Sequence, residues 1–338
     1  MRIFVPPAAM LATVCMLMNM TTTGAAAGTV RDGFRWLSEN EEILPEGIIW
    51  NDAIGDGKDR YKSGGITQGW MIPEGRLTDE PWLPGFASGL EVQLRAFIAT
   101  PENTFQPTPE SRPFAEYAGF GTYFRTVGAP RMLARDLTRS VEFRGGIELG
   151  IIGDPVPLLE LQDLLHTNDV GKTQANTLGR EFLANAEARY TWRFHQQLND
   201  TDLEFAPFIQ GSAGMRENSL RLGGDIIYGS SLEGRLWNHD LATGAMIPGG
   251  SQRREGPQTA IWLGGDVGFI GSDALLDGGF NGEGRRVGRE PVTGRLRAGI
   301  LFDFEDVALG YSLTLLTEEF DTQTHSQVIG ALTIKVRW

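Results

Sequence analysis

The chain has 338 residues and a formal net charge of -13 at pH 7, with 43 acidic against 30 basic side chains. That balance excludes a nucleic-acid partner, which needs a basic face, and suits divalent cations better. Only one cysteine is present, so no disulfide can form within the chain, and extensive backbone hydrogen bonding is the natural substitute.

The first segment, Met1-Arg2 and an apolar run to Met20 followed by "TTTGAAAG", reads as the charged region, apolar region and small-residue cleavage site of a signal peptide. It predicts a leader over 1–27 and a mature chain, 28–338, that begins at Gly28 as one domain. Cys15 lies in that leader, and "LATV" before it lacks the small residue that precedes a lipidated cysteine. After the leader there is no run of eighteen apolar residues, so a transmembrane helix is not expected.

Beyond the leader the recurring signal is strict alternation. Leu90, Val92, Leu94 and Ala96 interleave with Glu91, Gln93, Arg95 and Phe97, and Ala186, Ala188, Tyr190, Trp192 and Phe194 with Glu187, Arg189, Thr191 and Arg193. About twelve such strands are expected, at 47–53, 64–72, 89–99, 115–126, 139–152, 183–196, 202–213, 218–228, 258–271, 291–302, 306–317 and 325–338. Their lengths suit a tilted strand crossing a bilayer. Tight polar turns, "NDTD" and "DFED", contrast with long connections at 153–182 and 272–290.

A soluble β-sandwich alternates as well. Here, however, the non-apolar face carries Arg and Glu at crossing after crossing, and aromatic residues gather toward the ends of the apolar face. The chain closes on "IGALTIKVRW", which resembles the recognition signal of bacterial outer-membrane barrels, with Trp338 addressed to the barrel-assembly machinery. The fold class expected is all-β, an antiparallel transmembrane barrel of about twelve strands, integral to the bacterial outer membrane. Closure is a physical requirement, because an open sheet edge in hydrocarbon leaves backbone groups unsatisfied. The inward Arg and Glu should pair and fill a modest lumen rather than line a wide pore. With both termini periplasmic, 229–257 falls on the periplasmic side, where so long a segment is irregular.

Parity brings three segments to the opposite rim. The loop "NDAIGDGKDRYKSGG" offers Asp52, Asp56, Asp59 and Ser63, oxygen donors of the kind that hold calcium. By itself the stretch also reads as a solvated turn, and it lacks EF-hand spacing. In "GDPVPLLELQDLLHTND" the pattern from Leu158 is helix-like, and Gln162 and His166 lie one turn apart. A histidine so placed suits general base catalysis on water, although it also reads as a surface residue without a role. His195, His239 and His325 read as structural or solvent-exposed.

"WND", "DRYKSGG", "SRPFAEYAGF" and "LGIIGDP…LQDLLH", in this order and spacing, resemble the outer-membrane lipid A 3′-O-deacylase family, LpxR. The resemblance implies a twelve-stranded barrel that uses calcium to remove ester-linked 3′ acyl chains from lipid A of lipopolysaccharide in the outer leaflet. It implies Asn51, Ser63, Gln162 and His166 as catalytic residues, with Asp52 and Asn51 toward the metal. His166 would be the base, Asp52 would help hold calcium, and Gln162 would orient His166 or donate to the oxyanion. A lysine expected after the third strand is missing, and Gln106 stands in "TPENTFQPTPE" instead. Lys58, Arg60 or Lys62 are the substitutes within reach for a lipid A phosphate, and a one-residue shift would exchange Ser63 with Lys62. Other classes remain open: an inert structural or transport barrel, a phospholipid esterase, or a periplasmic binding protein of sandwich type.

Overall fold

The computed structural model describes residues 44–58, 60–73, 86–103, 106–108, 110–153, 177–232, 235–249, 256–304 and 307–336. Twelve long strands form the wall: β1 (Leu44–Asn51), β2 (Tyr61–Pro73), β3 (Phe86–Thr100), β4 (Ala115–Gly128), β6 (Leu137–Ile152), β7 (Glu181–Leu198), β8 (Thr201–Gly214), β9 (Glu217–Gly229), β12 (Gln258–Asp273), β13 (Val292–Phe304), β14 (Val307–Leu316) and β15 (Gln327–Val336). Each expected strand coincides with one of these. Each pairs antiparallel with its neighbours, and β1 pairs both β2 and β15, so the sheet closes on itself. Every wall strand therefore has a partner on both edges, which is what hydrocarbon demands of a backbone.

Period-two side-chain geometry sorts the residues between the two faces. Ile147, Leu149, Leu263, Val267, Leu296 and Leu313 face outward and are exposed, whereas Glu91, Arg95, Glu148, Arg193, Asp225 and Arg297 face the lumen and are buried. The inward charges pair as expected: Arg144 with Glu91 at 2.8 Å, Arg193 with Glu204 at 2.7 Å and Arg297 with both Asp225 and Asp266 at 2.7 Å.

The irregular segment on the termini side has a definite place. It folds as a hairpin, β10 (Leu236–His239) with β11 (Met246–Gly249), whose residues are largely buried within the barrel. Wall arginines hold its backbone: Arg125 donates to the Trp237 carbonyl at 2.9 Å and Arg295 to that of Leu241 at 3.2 Å. Arg235 pairs with Asp303 at 2.9 Å, and Thr67 donates to Asp240 at 2.8 Å. Trp237 meets Trp262 of β12 with ring centroids 5.6 Å apart. Farther in, Ala245 and Ile247 join the apolar core formed by Ile48, Trp50, Phe97, Tyr117 and Ile329. The lumen is occupied, and this plug is what the strand alternation did not anticipate. A third short strand, β5 (Arg131–Ala134), extends the β4–β6 connection as a spur with all four residues exposed.

Candidate functional site

The site begins where β1 stops pairing. Alternation along β1 buries Ile48 and Trp50 in the lumen and turns Ile49 and Asn51 toward the outer wall, so the asparagine reaches the rim on the membrane-facing side. Its amide works in both directions. Nδ2 donates to the Ser63 carbonyl at 2.5 Å, and Oδ1 accepts the Ala53 N–H at 2.7 Å, the local turn that asparagine forms readily.

Asp52 turns inward and is 1% exposed. Its Oδ2 accepts the Arg60 N–H at 2.7 Å and faces Gln327 Nε2 at 3.5 Å, while its carbonyl accepts from Gly55 at 2.9 Å and Gly57 at 3.1 Å. The loop is thereby cinched at both ends. Gly57 adopts φ +75°, which glycine takes without a side-chain clash. Ile54 and Asp56 lie against the neighbouring strands, with Tyr311 Oη donating to the Ile54 carbonyl at 2.8 Å and Asp56 N donating to the Val328 carbonyl at 3.1 Å. A Cβ at Gly55 would stand 2.1 Å from the Val328 oxygen, so only glycine permits this approach.

The strand resumes with a distortion. Tyr61 has φ +58°, a left-handed backbone that a bulky residue rarely adopts, and the register to β3 shifts between Lys62 and Gly64. The Tyr61 ring is held edge-on by Phe320, with centroids 5.5 Å apart. The bulge aims Ser63 inward, where it is 1% exposed and its Oγ lies 2.6 Å from Thr100 Oγ1. Asn51, Asp52 and Ser63 are thus brought together at one strand end.

The three cations of the loop have different situations. Lys58 is exposed, and its side chain reaches toward solvent from a turn whose N–H is held by Asp56 at 3.1 Å. Arg60 is buried and bonded to Asp56 at 3.0 Å and the Ser326 carbonyl at 3.2 Å. Lys62 is paired with Glu319. Burial would raise the Glu319 carboxyl, but the Lys62 ammonium, with the Arg112 guanidinium behind it, holds it below the usual carboxylate range. Burial pushes Arg112 itself down from its usual range, with Glu319 opposing. Gln106 is exposed on the same rim, with its N–H donating to Asn103 Oδ1 at 3.0 Å.

Gln327 is the residue that motif reading missed. Its Nε2 donates to the carbonyls of Arg60 at 2.6 Å and Lys62 at 3.0 Å, and its Oε1 accepts the Lys62 N–H at 3.3 Å. One glutamine on β15 thus supports the whole return of the loop, and no local pattern around position 327 signals it. Gln162 and His166 lie outside the described residues, as do Asp59 and Trp338. Among the described residues no group of three or more His, Cys, Asp or Glu side chains gathers as a metal site.

Comparison with known proteins adds the following. A family model described as "Outer membrane protein LpxR" matches residues 10–338. The fold is similar to LpxR from Salmonella typhimurium, at TM-score 0.67 and 16% identity, covering 87% of this chain and 100% of that one. The β-domain of the Bordetella autotransporter BrkA also matches, at TM-score 0.40 and 10% identity over 88% of this chain and 100% of that one. The translocator domain of NalP from Neisseria meningitidis matches at 0.41 and 9%, over 93% and 97%. No curated protein matches the sequence.

Proposed function

Because this chain belongs to the LpxR family of outer-membrane proteins, we propose that it is an outer-membrane lipid A deacylase that hydrolyses the ester-linked acyl chains at the 3′ position with calcium as its cation. The observation that carries the reading is the strand end at the rim, where Asn51 on the outer face bonds the Ser63 carbonyl while the Asp52 carboxylate and the Ser63 hydroxyl turn inward. A water-soluble ester would not need that position, whereas a substrate anchored in a leaflet does. The rim opposite the termini is taken as the extracellular one, where lipopolysaccharide lies.

The donor set fits a hard cation in kind, since a buried carboxylate, an amide oxygen and a hydroxyl are all oxygen ligands. Asp52 and Asn51 would hold it. Bound calcium supplies positive charge where an oxyanion develops.

His166 takes a proton from water as that water attacks the ester carbonyl, and returns a proton to the departing alkoxide. Gln162 orients the imidazole or donates to the oxyanion. Asn51 fixes the strand end through Ser63, and Ser63 positions the ester or the metal from a hydroxyl that Thr100 holds in place. Lys58, the exposed cation of the loop, is the candidate contact for a lipid A phosphate.

Mass spectrometry of lipid A from cells producing the wild type or His166→Ala tests the reading. Loss of the 3′ acyl mass with the wild type alone is expected. Identical spectra from both would sink the assignment and turn attention to glycerophospholipids.

A further inference from the structure

At the other end of the barrel, two arginines stand opposite each other in the sheet. In the β5–β6 hairpin Arg131 and Arg139 are direct cross-strand partners. Alternation from the exposed Phe143, Ile147 and Leu149 puts Arg139 on the outer wall, and the register puts Arg131 beside it. Like charges directly opposite on one face destabilise a sheet. Among the described residues no carboxylate pairs with either one, and the hairpin's own acid, Asp136, is turned to Arg135 at 3.6 Å.

Their depth explains the arrangement. From Ile151 to Val141 the outward residues of β6 span about 34 Å along the strand, which a tilt of about 45° reduces to about 24 Å, close to the height of the apolar band of such barrels. Arg139 is the next outward residue. It sits just past the band, at the level of lipid headgroups. The adjoining stretch of β7 supports this level: Trp192 stands opposite Val141 and Phe194 opposite Arg139, and Trp192 packs edge-on against Tyr190 with centroids 4.7 Å apart. Aromatic residues of this kind form the girdle at a membrane interface.

We infer that Arg131 and Arg139 form a clamp for the phosphate of an anionic phospholipid in the leaflet at the termini side of the barrel. A phosphate between the two guanidinium groups converts a repulsive cross-strand pair into a bridged one, and each arginine can present a paired N–H fork to it. The local charge complements that lipid: residues 129–139 carry three arginines against one aspartate in a chain of net charge -13. The inference goes beyond the proposed reaction and shares with it only the orientation of the barrel.

The test is native mass spectrometry of the folded, detergent-solubilised full chain and its Arg131→Gln/Arg139→Gln double variant. Each is offered phosphatidylglycerol, phosphatidylethanolamine and hexa-acylated lipid A in turn, after a heat-modifiable gel shift has verified folding. The wild type is expected to retain one phosphatidylglycerol that the double variant loses. Equal retention of phosphatidylglycerol by the two proteins overturns the clamp. Phosphatidylethanolamine retained as well as phosphatidylglycerol overturns the preference for an anionic lipid, and lipid A retained in its place overturns the leaflet. Ala134→Cys, made in a Cys15→Ser chain, is expected to react with an impermeant maleimide only after the outer membrane is permeabilised; reaction in intact cells overturns the leaflet as well. Deacylation is read on the same preparations. A wild type that shows the lipid difference without deacylation supports the clamp and removes the enzyme reading alone.

Discussion

Gln327 Nε2 stands 3.5 Å from Asp52 Oδ2 across 275 residues of sequence, on the same amide that donates to the Arg60 carbonyl at 2.6 Å. The last strand of the barrel therefore holds the loop backbone whose Arg60 N–H binds the carboxylate that the first strand delivers. Gln327→Leu keeps the volume and removes all of these bonds, leaving buried carbonyls without a donor at a cost of about 1–3 kcal/mol each. The expected outcome is a folded barrel whose calcium requirement for deacylation rises severalfold. An unchanged calcium dependence in the variant would show that Asp52 does not rely on this support.

Asp52 itself gives a sharper contrast. It is 1% exposed, and Arg60 N–H binds it at 2.7 Å, so Asp52→Asn keeps the shape of the loop and removes its charge. Deacylation is expected to fall about a hundredfold or more, in the range seen when one oxyanion-stabilising group is removed. Chelation of calcium should abolish the wild-type activity and re-addition restore it. Calcium titration of the purified proteins by calorimetry checks the same point without an activity readout: heat of binding equal in wild type and Asp52→Asn would contradict the assignment.

The loop cations should separate by their partners. Arg60 and Lys62 are neutralised by Asp56 and Glu319, whereas Lys58 is exposed. Lys58→Ala is expected to raise KM for lipid A two- to tenfold with kcat nearly retained, the pattern of a lost uniform binding contact. Lys62→Met should instead lower stability, because it leaves Glu319 a half-buried carboxylate whose largest opposing charge is gone. Steady-state kinetics on both variants, with melting of each barrel alongside, distinguishes the two roles.

The wall was legible because a strand in a barrel advertises itself twice, through period two and through opposite chemistry on its faces; Glu91, Gln93 and Arg95 between Leu90, Val92 and Leu94 leave little choice of face or register. The motif around Asn51, Asp52 and Ser63 was legible for a related reason, since a strand that breaks on polar residues and resumes nearby must bring its ends together. Gln327 was not, because its role depends on closure between the first and last strands, and nothing adjacent to it differs from other lumen-facing positions. The hairpin at 236–249 escaped notice because its four-residue strands are too short for a periodic signal and are largely buried, with "MIPG" lacking any polar face.

That hairpin predicts a closed lumen. Trp237 fills the space beside Trp262, and its carbonyl accepts from Arg125 at 2.9 Å. Trp237→Ala should cost about 3–5 kcal/mol by leaving a cavity, read as a lower temperature for the heat-modifiable gel shift. In planar bilayers the wild type is expected to pass no ion current, whereas a chain with 236–249 replaced by a short Gly-Ser linker should conduct. Current through the wild type would overturn the plug.

His239 on the same hairpin carries a pH signature. Burial, reinforced by the Arg189 guanidinium 3.2 Å away, pushes its imidazole down to about 3, and the Asp225 carboxylate at 3.1 Å only partly opposes this. The folded barrel thus keeps His239 neutral, while an unfolded chain protonates it near the ordinary value of about 6.5. The unfolded state then binds more protons below that value, so the stabilisation is fully present above about pH 6.5 and declines as pH falls toward 3. His239→Gln keeps a hydrogen-bonding side chain and removes the titration. Its melting temperature is expected to vary less than that of the wild type between pH 7 and pH 4; parallel profiles would mean that the acid sensitivity of the barrel arises elsewhere.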